Sequence, residues 1–487
     1  MVRPAVLGRG SKWKLRISPD VPGKWSYSVS SADSRLNGRS GTFEATPSKS
    51  RGGLQTAKDA PAHFARQNGD RFWFLGDTAW GYFTDSPEDK HHRPEAENYV
   101  NTRAAEGFNV IHCMLMSEQG VGNNNGLPFT SMAEEQINVA YWQEVDHRLA
   151  FANSRGVTVG LAVAWGDKRK KEPFAWRIFP DVEARKRFAR YIAARYSAYD
   201  VYFLVSGEWH GELRTRDKAD PETVFREFVE IGSALDAADP HNRMIGIHPM
   251  SAHGSVREFT TAPWMSFADY QQNYSDLHAK ARLSRYLTGP VVNSEYGYFL
   301  RDQNGDGVPD KDNSYTIEDM RYASWDIAMA GAYLVTGFGS TYFAGYRDPG
   351  PFHVDKPGNR EWGSQAGHLK RFFETLEYWH LTPADEALAS KVPRQNDRTW
   401  KDGRGRRPPS ATYWALAHPG RTYVVYARGT AEPIEVDLGA RPREYRIRRF
   451  DPRAGTFADV STETVQGRYT WTPPDVQDWV LVLQSKP

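Results

Sequence analysis

The sequence predicts an α/β fold: a (β/α)8 TIM barrel with β-sandwich segments at its N- and C-termini. Eight apolar runs alternate with helical patterns in the middle of the chain, whereas both ends show short alternating runs broken by turn dipeptides. The central runs are apolar on both faces, as in a parallel sheet that helices cover. A doubly wound open sheet is the main alternative, but the first run lacks the G-x-G-x-x-G that such a sheet would carry. We therefore favour the barrel.

The eight central runs are the predicted barrel strands. They occupy residues 72–80, 108–116, 157–165, 201–209, 244–250, 264–272, 290–298 and 331–343. The helical patterns between them end at glycines suited to a left-handed C-cap, such as Gly107, Gly156 and Gly289. The fifth unit is the weakest, because the segment between its strand and the next leaves room for a short helix at most.

These patterns predict three domains. Residues 1–53 are predicted to form a partial N-terminal β-sandwich and a linker, since residues 13–45 alternate apolar and polar side chains around Pro-Gly and Asn-Gly turns. Residues 54–384 predict the barrel, and residues 385–487 predict a C-terminal antiparallel β-sandwich.

The composition is that of a globular, core-forming protein. Of 487 residues, 39% are hydrophobic and 13% are aromatic, and the formal net charge is +2. The apolar content excludes intrinsic disorder, and the near-neutral charge argues against a nucleic-acid partner. The single cysteine, Cys113, cannot form an internal disulfide.

The sequence predicts no membrane span, because no apolar run approaches the roughly 20 residues that a spanning helix needs. The N-terminal segment MVRPAVLGRG is not apolar enough for a signal peptide. Two alternatives therefore stay open: a cytoplasmic protein, or a chain that begins after a removed export signal. The oligomeric state is not predicted.

Two glutamates are the candidate catalytic residues. In a (β/α)8 barrel the reactive groups stand at the carboxyl ends of the strands, and Glu208 and Glu295 follow the fourth and seventh runs. A glycosidic bond is cleaved by a pair of carboxyl groups, one protonated and one ionised. Each glutamate alone is more often a salt-bridged or capping residue, and Glu212 and Asp269 are rivals for the acid role. The pair, each member beside an aromatic residue, favours catalysis on a carbohydrate substrate.

Several other residues at strand ends are candidate contacts for a sugar. Indole rings pack well on the C–H faces of sugars, and imidazole and amide groups form hydrogen bonds with sugar hydroxyls. Any one of these side chains can equally belong to the core. The candidate substrate-binding residues are Trp80, His112, Trp165, Trp209, His248, Gln272 and Tyr296.

The segments RFWFLGDTAW and EGFNVIHCMLM resemble the start of the apiosidase-like (β/α)8 glycoside hydrolases. The resemblance covers roughly residues 60 to 380. The apiosidase-like family is related in architecture to a large clan of retaining barrel enzymes. The resemblance implies Glu208 as general acid/base and Glu295 as nucleophile. It also implies exo action on a terminal sugar of a polysaccharide or oligosaccharide side chain, and it favours a secreted or periplasmic location. One position departs from the clan pattern, since Gly207 replaces the usual Asn before the acid.

Asp77 has two interpretations. The resemblance implies that the Gly76–Trp80 stretch lines the subsite for the terminal sugar, where a carboxylate can accept two hydroxyl hydrogen bonds. The alternative is that Asp77 fixes the turn after the first strand. The chain ends resemble the β-sandwiches that precede and follow these barrels, with the first half of the N-terminal one missing, which would fit a truncated or late start. A non-catalytic carbohydrate-binding or cell-surface barrel is the competing functional class.

One loop matches the D-x-[DN]-x-[DN]-G pattern of calcium-binding loops. No cofactor is predicted for the chemistry, so calcium would be structural, and a polar turn without metal is the alternative. The twelfth position is Asn313 rather than a bidentate Glu, which predicts modest affinity. The expected ligands are Asp302, Asn304, Asp306, Asp310 and the backbone oxygen of Val308.

The calcium prediction is tested by thermal unfolding. We expect EDTA to lower the Tm and added Ca²⁺ to restore it, because a ligand that binds only the folded state stabilises that state. The matched control is Asp306→Ala, which should show the lower Tm in either buffer. A wild-type Tm that EDTA leaves unchanged would contradict the prediction.

Overall fold

The structure is a computed structural model. It describes residues 6–7, 13–85, 92–117, 120–131, 135–167, 173–216, 220–250, 256–272, 276–285, 289–299, 314–337, 354, 357–394 and 411–485.

A parallel sheet of eight strands forms the barrel and confirms the predicted fold class. Each strand coincides with a predicted run, although the seventh extends one residue beyond its run, to Phe299. All positions described in these strands are buried, because helices cover the outside and side chains fill the inside. In barrel order, strands one to eight are β8 (Leu75–Thr78), β9 (Val110–Met114), β12 (Thr158–Ala162), β13 (Val201–Leu204), β14 (Ile245–Gly246), β15 (Ala268–Gln271), β16 (Val291–Phe299) and β18 (Tyr333–Gly337).

The barrel closes between the first and eighth strands, where Leu334 pairs with Leu75. Strands five and six meet through a single parallel bridge, Ile245 to Met265. The order of the ladder is therefore five, four, three, two, one, eight, seven, six. A short strand, β17 (Ser314–Tyr315), adds to the outer end of β16.

The helices follow the strands as predicted. The first of them ends at Gly107, whose φ of 107° is the left-handed C-cap that the sequence indicates. The helix of the fifth unit spans only four residues, as the short segment there requires. Among the described residues no helix has both the length and the apolarity to cross a bilayer. The α-helices are α1 (Arg93–Glu106), α2 (Val139–Ser154), α3 (Val182–Tyr196), α4 (Gly211–Thr215), α5 (Pro221–Ala238), α6 (Val256–Phe259), α7 (Leu277–Ser284), α8 (Ile317–Met329) and α9 (Pro357–Glu374). Short 3₁₀ turns lie at Trp176–Ile178, Tyr378–His380 and Asp385–Ala387.

An antiparallel sheet covers the amino ends of the barrel strands. Its residue Arg66 donates to both oxygens of Asp200, at 2.8 Å each, and to Thr158 at the start of the third barrel strand. The N-terminal strands form separate hairpins, and Arg16 beside them pairs with Asp146 of α2. The sheet strands are β5 (Leu54–Ala57), β6 (Ala60–Arg66) and β7 (Arg71–Phe72), and the hairpin strands are β1 (Val6–Leu7), β2 (Trp13–Lys14), β3 (Gly23–Ser28) and β4 (Ser40–Ala45). A further pair, β10 (Phe129–Ser131) and β11 (Gln136–Ile137), lies in the loop after the second barrel strand.

Two antiparallel sheets form the predicted C-terminal sandwich. The first strand of the larger sheet begins at Thr382, slightly before the predicted boundary at 385. The larger sheet contains β19 (Thr382–Pro383), β21 (Thr412–His418), β22 (Thr422–Arg428), β24 (Arg443–Asp451), β25 (Thr456–Val465) and β27 (Trp479–Ser485), and the smaller contains β20 (Leu388–Ser390), β23 (Ile434–Asp437) and β26 (Arg468–Trp471).

Strand β22 shows how the sandwich attaches to the barrel. Its alternate residues Val424 and Tyr426 belong to the barrel core, whereas Val425 and Ala427 belong to the core between the two sheets. The Tyr426 ring stacks on Trp325 of α8, with centroids 5.3 Å apart. The strand is thus buried on both faces, which joins the two domains through a continuous apolar contact.

A buried ion pair fixes this domain contact. Arg428 of β22 donates to the two oxygens of Asp326 on α8, at 2.7 and 2.8 Å, and the Trp414 indole N–H donates to one of the same oxygens at 2.9 Å. The side chains of Arg428 and Asp326 are 4% and 0% exposed. Removal of one member would leave the other charged and without its partner in the interior.

We therefore expect Arg428→Ala to lower the free energy of unfolding by about 3 to 5 kcal/mol. The matched control is Arg446→Ala, which breaks an ion pair with Asp459 whose side chains are 58% and 66% exposed, and which should cost less than about 1 kcal/mol. Urea denaturation followed by tryptophan fluorescence measures both. Equal losses in the two variants would contradict the role given to the buried pair.

Candidate active site

Glu208 stands at the carboxyl end of the fourth barrel strand. The backbone of Gly207 continues the barrel ladder, since its N–H donates to Ala164 and its carbonyl accepts from Gly166. Glu208 itself has a φ of 39°, one of few non-glycine residues described in the left-handed region. It is partly exposed and leads directly into α4. Strained backbone of this kind is concentrated at functional sites.

Glu295 stands at the carboxyl end of the seventh strand and is 4% exposed. The Tyr298 hydroxyl donates to its Oε1, and the His248 Nε2 lies 3.2 Å from its Oε2. The backbone of His248 also contacts residues on both sides of Glu208, since its N–H donates to the Ser206 carbonyl and its carbonyl accepts from the Trp209 N–H. These contacts of His248 show that both glutamates lie at the same end of the barrel.

His248 lies between two carboxylates. Its Nδ1 is 2.8 Å from the Ser294 hydroxyl oxygen and 3.7 Å from Asp269 Oδ2. Burial alone lowers the pKa of His248, but the nearby carboxylates of Asp269 and Glu295 outweigh it and raise the pKa to about 10. Burial raises the pKa of Asp269, which His248 and Ser294 partly offset.

Aromatic rings surround His248. Trp80 and Trp165 meet edge to face with centroids 4.9 Å apart, and each lies within 6 Å of the His248 ring, at 5.4 and 5.8 Å. His112 is 5.8 Å from Trp80, and its Nε2 contacts the Tyr202 hydroxyl. Burial lowers the pKa of His112, so its ring is neutral. The structure therefore brings four of the predicted substrate-binding residues together at the barrel mouth.

The other predicted contacts lie elsewhere or are already engaged. Asp77 accepts hydrogen bonds from Tyr99, Arg103 and Thr336 and is fully buried. These contacts favour the interpretation that Asp77 is structural, because protein donors take up both of its oxygens.

Trp209 and Tyr296 contact the helical layer rather than the pocket. Trp209 packs on Phe228 of α5 and Phe259 of α6. The Tyr296 hydroxyl bonds to Ser324 of α8. Neither position supports the expected contact with substrate, because both side chains are directed to the helices outside the barrel. Gln272 stays at the mouth, where the Asn293 side chain holds its backbone N–H and carbonyl, at 3.3 and 3.1 Å.

Glu212, the rival of Glu208, is completely buried. Its Oε2 lies 3.4 Å from Arg185 of α3, and its Oε1 accepts from the Asp167 backbone at 3.4 Å. These contacts give it a structural role between α4 and α3. Asp269, the other rival, faces His248 rather than open space.

The predicted calcium loop, residues 302–310, lies outside the described residues. Within the part of the chain that the structure describes, no group of three or more His, Cys, Asp or Glu side chains is arranged to hold a metal ion. The calcium site therefore stays a prediction from the sequence.

The position of the Trp165 ring explains why residue 207 is a glycine. A Cβ at this position would lie 2.1 Å from the Trp165 ring, so the indole occupies the space that any side chain before Glu208 would fill. The departure from the Asn of the clan pattern is thus coupled to the tryptophan at the end of the third strand.

The contact between Glu295 and Tyr298 could not be predicted from strand alternation. In a regular strand, Glu295 and Tyr298 would face opposite sides, since their spacing is odd. Register shifts in β16, together with Gly297 at a φ of 46°, turn Tyr298 back toward Glu295. Gly297 itself is the sequence signal for this bulge.

A (β/α)8 barrel whose mouth holds paired carboxylates beside indole rings has the organisation of a barrel-type glycoside hydrolase. The chain belongs to the apiosidase-like family: the family model described as "Apiosidase-like, catalytic domain" matches residues 59–380, more than half of the chain. The protein is a glycoside hydrolase. No curated protein matches the chain.

Solved structures share its fold. One described as a glycoside hydrolase is 18% identical, with a TM-score of 0.68 over 89% of this chain and 97% of its own. A glycoside hydrolase family 5 protein from Bacteroides vulgatus ATCC 8482 is 17% identical, with a TM-score of 0.68 over 89% of this chain and 93% of its own. A further structure from the same strain is 16% identical, with a TM-score of 0.74 over 99% of this chain and 92% of its own. At these identities the likeness concerns the fold.

The Gly207–Trp165 contact is tested by Gly207→Ala. We expect the variant to lose about 1 to 3 kcal/mol of folding free energy and part of its activity, because the added methyl displaces the indole. In a Trp165→Leu background the same substitution should cost at least about 1 kcal/mol less, since the clash is removed. Urea denaturation of the four proteins in the cycle measures the coupling. Equal costs in both backgrounds would show that the contact is not the reason for the glycine.

Proposed function

We propose that the protein is a retaining, exo-acting glycoside hydrolase with Glu208 as general acid/base and Glu295 as nucleophile. The observation that carries the proposal is the contrast between the two carboxyl groups. Glu295 is buried and lies beside a hydroxyl donor and an imidazole. Glu208 is partly exposed on a strained backbone at the same end of the barrel. Two carboxyl groups in unlike environments can take the acid and nucleophile roles.

The reaction proceeds by double displacement. Glu208 gives its proton to the glycosidic oxygen while a Glu295 oxygen bonds to the anomeric carbon, so that the leaving group departs as an alcohol. Glu208, now ionised, removes a proton from water. The water oxygen then replaces Glu295 at the anomeric carbon, which releases the sugar with its original configuration.

The burial of the rings supports exo action. Trp80, Trp165 and His248 are each at most 2% exposed, so these rings would form a closed inner end to the site. A pocket closed at one end accepts a terminal residue more readily than the middle of a chain. A screen of nitrophenyl glycosides, furanosides included, would identify the sugar and anomer, and the release of monosaccharide alone from an oligosaccharide would support exo action.

The catalytic pair is tested by alanine variants on the aryl glycoside that the wild type cleaves fastest. Glu295→Ala should lose at least about 10⁴-fold in kcat/KM, because no glycosyl-enzyme forms. Glu208→Ala should lose about 10²- to 10⁴-fold, and less on substrates whose leaving groups need no proton. Azide should restore turnover in both variants. The glycosyl azide should have inverted configuration with Glu295→Ala and retained configuration with Glu208→Ala.

Glu212→Gln is the matched control, since Glu212 follows the same strand but is held by Arg185. We expect it to reduce stability and to keep near wild-type kcat per folded molecule. Wild-type rates in both Glu208→Ala and Glu295→Ala would refute the proposal and favour a carbohydrate-binding barrel. A Glu212→Gln protein that is folded but inactive would move the acid role to Glu212.

A further inference from the structure

Both ring nitrogens of His248 face hydrogen-bond acceptors. The Ser294 hydroxyl is 3.3 Å from the Tyr270 carbonyl, to which it can only donate. Its oxygen is therefore left to accept from His248 Nδ1 at 2.8 Å. The other nitrogen, Nε2, lies 3.2 Å from a carboxylate oxygen of Glu295, which is within the distance of an ion pair but without the geometry of a hydrogen bond. A neutral imidazole that donates from Nδ1 would place the lone pair of Nε2 against this carboxylate, whereas an imidazolium places a positive charge there.

The charges around His248 also favour the imidazolium form of its ring. Asp269 and Glu295 are 0% and 4% exposed and approach the imidazole from the sixth and seventh strands. Two ionised carboxylates buried together without a cation would be strongly destabilising. Among the residues that the structure describes, the other titratable groups in contact with this cluster include His112, Tyr202 and Tyr298, and burial keeps His112 and Tyr202 uncharged. None of these three supplies a positive charge.

We infer that His248 is a buried imidazolium, kept charged by Asp269, that acts as a positioning residue by orienting Glu295 and holding it as a carboxylate. The catalytic consequence rests on the proposed role of Glu295 as nucleophile. The same contacts give His248 a role besides the expected contact with substrate, because its Nδ1 bonds to Ser294 and its Nε2 lies beside Glu295. Asp269, considered above as an acid, becomes the residue that sets the charge of its neighbour.

The charge itself is tested by NMR of protein labelled with ¹⁵N-histidine. The His248 signals are assigned by their loss in His248→Gln. We expect both nitrogens to carry protons at pH 7.5 and the ring to stay protonated beyond pH 8.5, since its pKa is about 10. In Asp269→Asn the pH of deprotonation should fall by about one unit or more. A neutral ring at pH 7.5, or an Asp269→Asn protein that titrates like the wild type, would overturn the inference.

The positioning role is tested by the pH profile of kcat/KM. We expect His248→Gln to lose about 10- to 100-fold at neutral pH, because a misplaced nucleophile is costly. Its acidic limb should move to higher pH by about one unit or more, since a carboxylate without a neighbouring cation takes up a proton more readily. Asp269→Asn should not move the limb to higher pH, because His248 keeps its proton throughout the acidic range and the substitution removes a negative charge beside Glu295. His248→Asn serves as the second variant if His248→Gln does not fold.

The matched control is His63→Gln, which also removes a buried histidine. His63 bonds to Tyr333 at 2.8 Å in the core of the barrel, and burial with nearby arginines lowers its pKa to about 3. It is therefore neutral, and its variant should keep the wild-type profile. A purely structural effect would lower kcat/KM equally at every pH.

The outcomes separate this inference from the proposed function. If Glu295→Ala is inactive but His248→Gln keeps the wild-type acidic limb, the positioning role is wrong and the proposed function stands. If Glu295→Ala is fully active, the proposed function fails, and the NMR signals of His248 still decide whether the buried imidazolium exists. A protonated His248 together with a shifted limb supports both.

Discussion

The site depends on one electrostatic constraint: Asp269 and Glu295 are buried at the ends of adjacent barrel strands, and the imidazole of His248 lies between them. A barrel brings such groups together because the carboxyl ends of parallel strands converge at one rim. The same convergence would make neighbouring carboxylates repel each other in a low-dielectric interior. In our proposal, His248 supplies a cation from the fifth strand that resolves this conflict, so that the site can hold the proposed nucleophile as a carboxylate.

The aromatic packing around His248 also depends on the convergence of the strand ends. Trp80 and Trp165 enclose His248 on the side of the first and third strands, and the absence of a side chain at Gly207 admits the Trp165 ring. Contacts elsewhere in the molecule stabilise the barrel that carries these residues. An antiparallel sheet covers the opposite end of the barrel, and the C-terminal sandwich holds α8 through Arg428 and Asp326. The Tyr296 contact with Ser324 links α8 to the strand that carries Glu295.

The fold could be predicted from the sequence because its signals are local and repeated. Eight apolar runs and glycine helix ends such as Gly107 specify strand–helix units, and the short fifth unit was visible as a short segment. Strand ends also indicated which residues reach the mouth, which located Trp80, Trp165, His248 and Glu295 together.

The orientation of individual side chains was less predictable. Trp209 and Tyr296 stand beside the glutamates in sequence, yet each contacts a helix outside the barrel. For Tyr296 the reason is that neighbouring residues of a strand point to opposite sides. The role of Tyr298 depends on a bulge that reverses the expected alternation. The contacts of Asp77 and Glu212 depend on Arg103 and Arg185, which come from helices whose packing no local pattern specifies.

The central claim, that Glu295 is the nucleophile of a retaining glycoside hydrolase, is tested most directly by trapping the intermediate. The protein would be incubated with a 2-deoxy-2-fluoro glycoside of the sugar it hydrolyses fastest, and its peptides analysed by mass spectrometry. Our account predicts the added mass of one fluorosugar on the peptide that carries Glu295, with no adduct in Glu295→Ala. An adduct on another carboxylate, or hydrolysis of the unmodified substrate with inversion of the anomeric configuration, would contradict it.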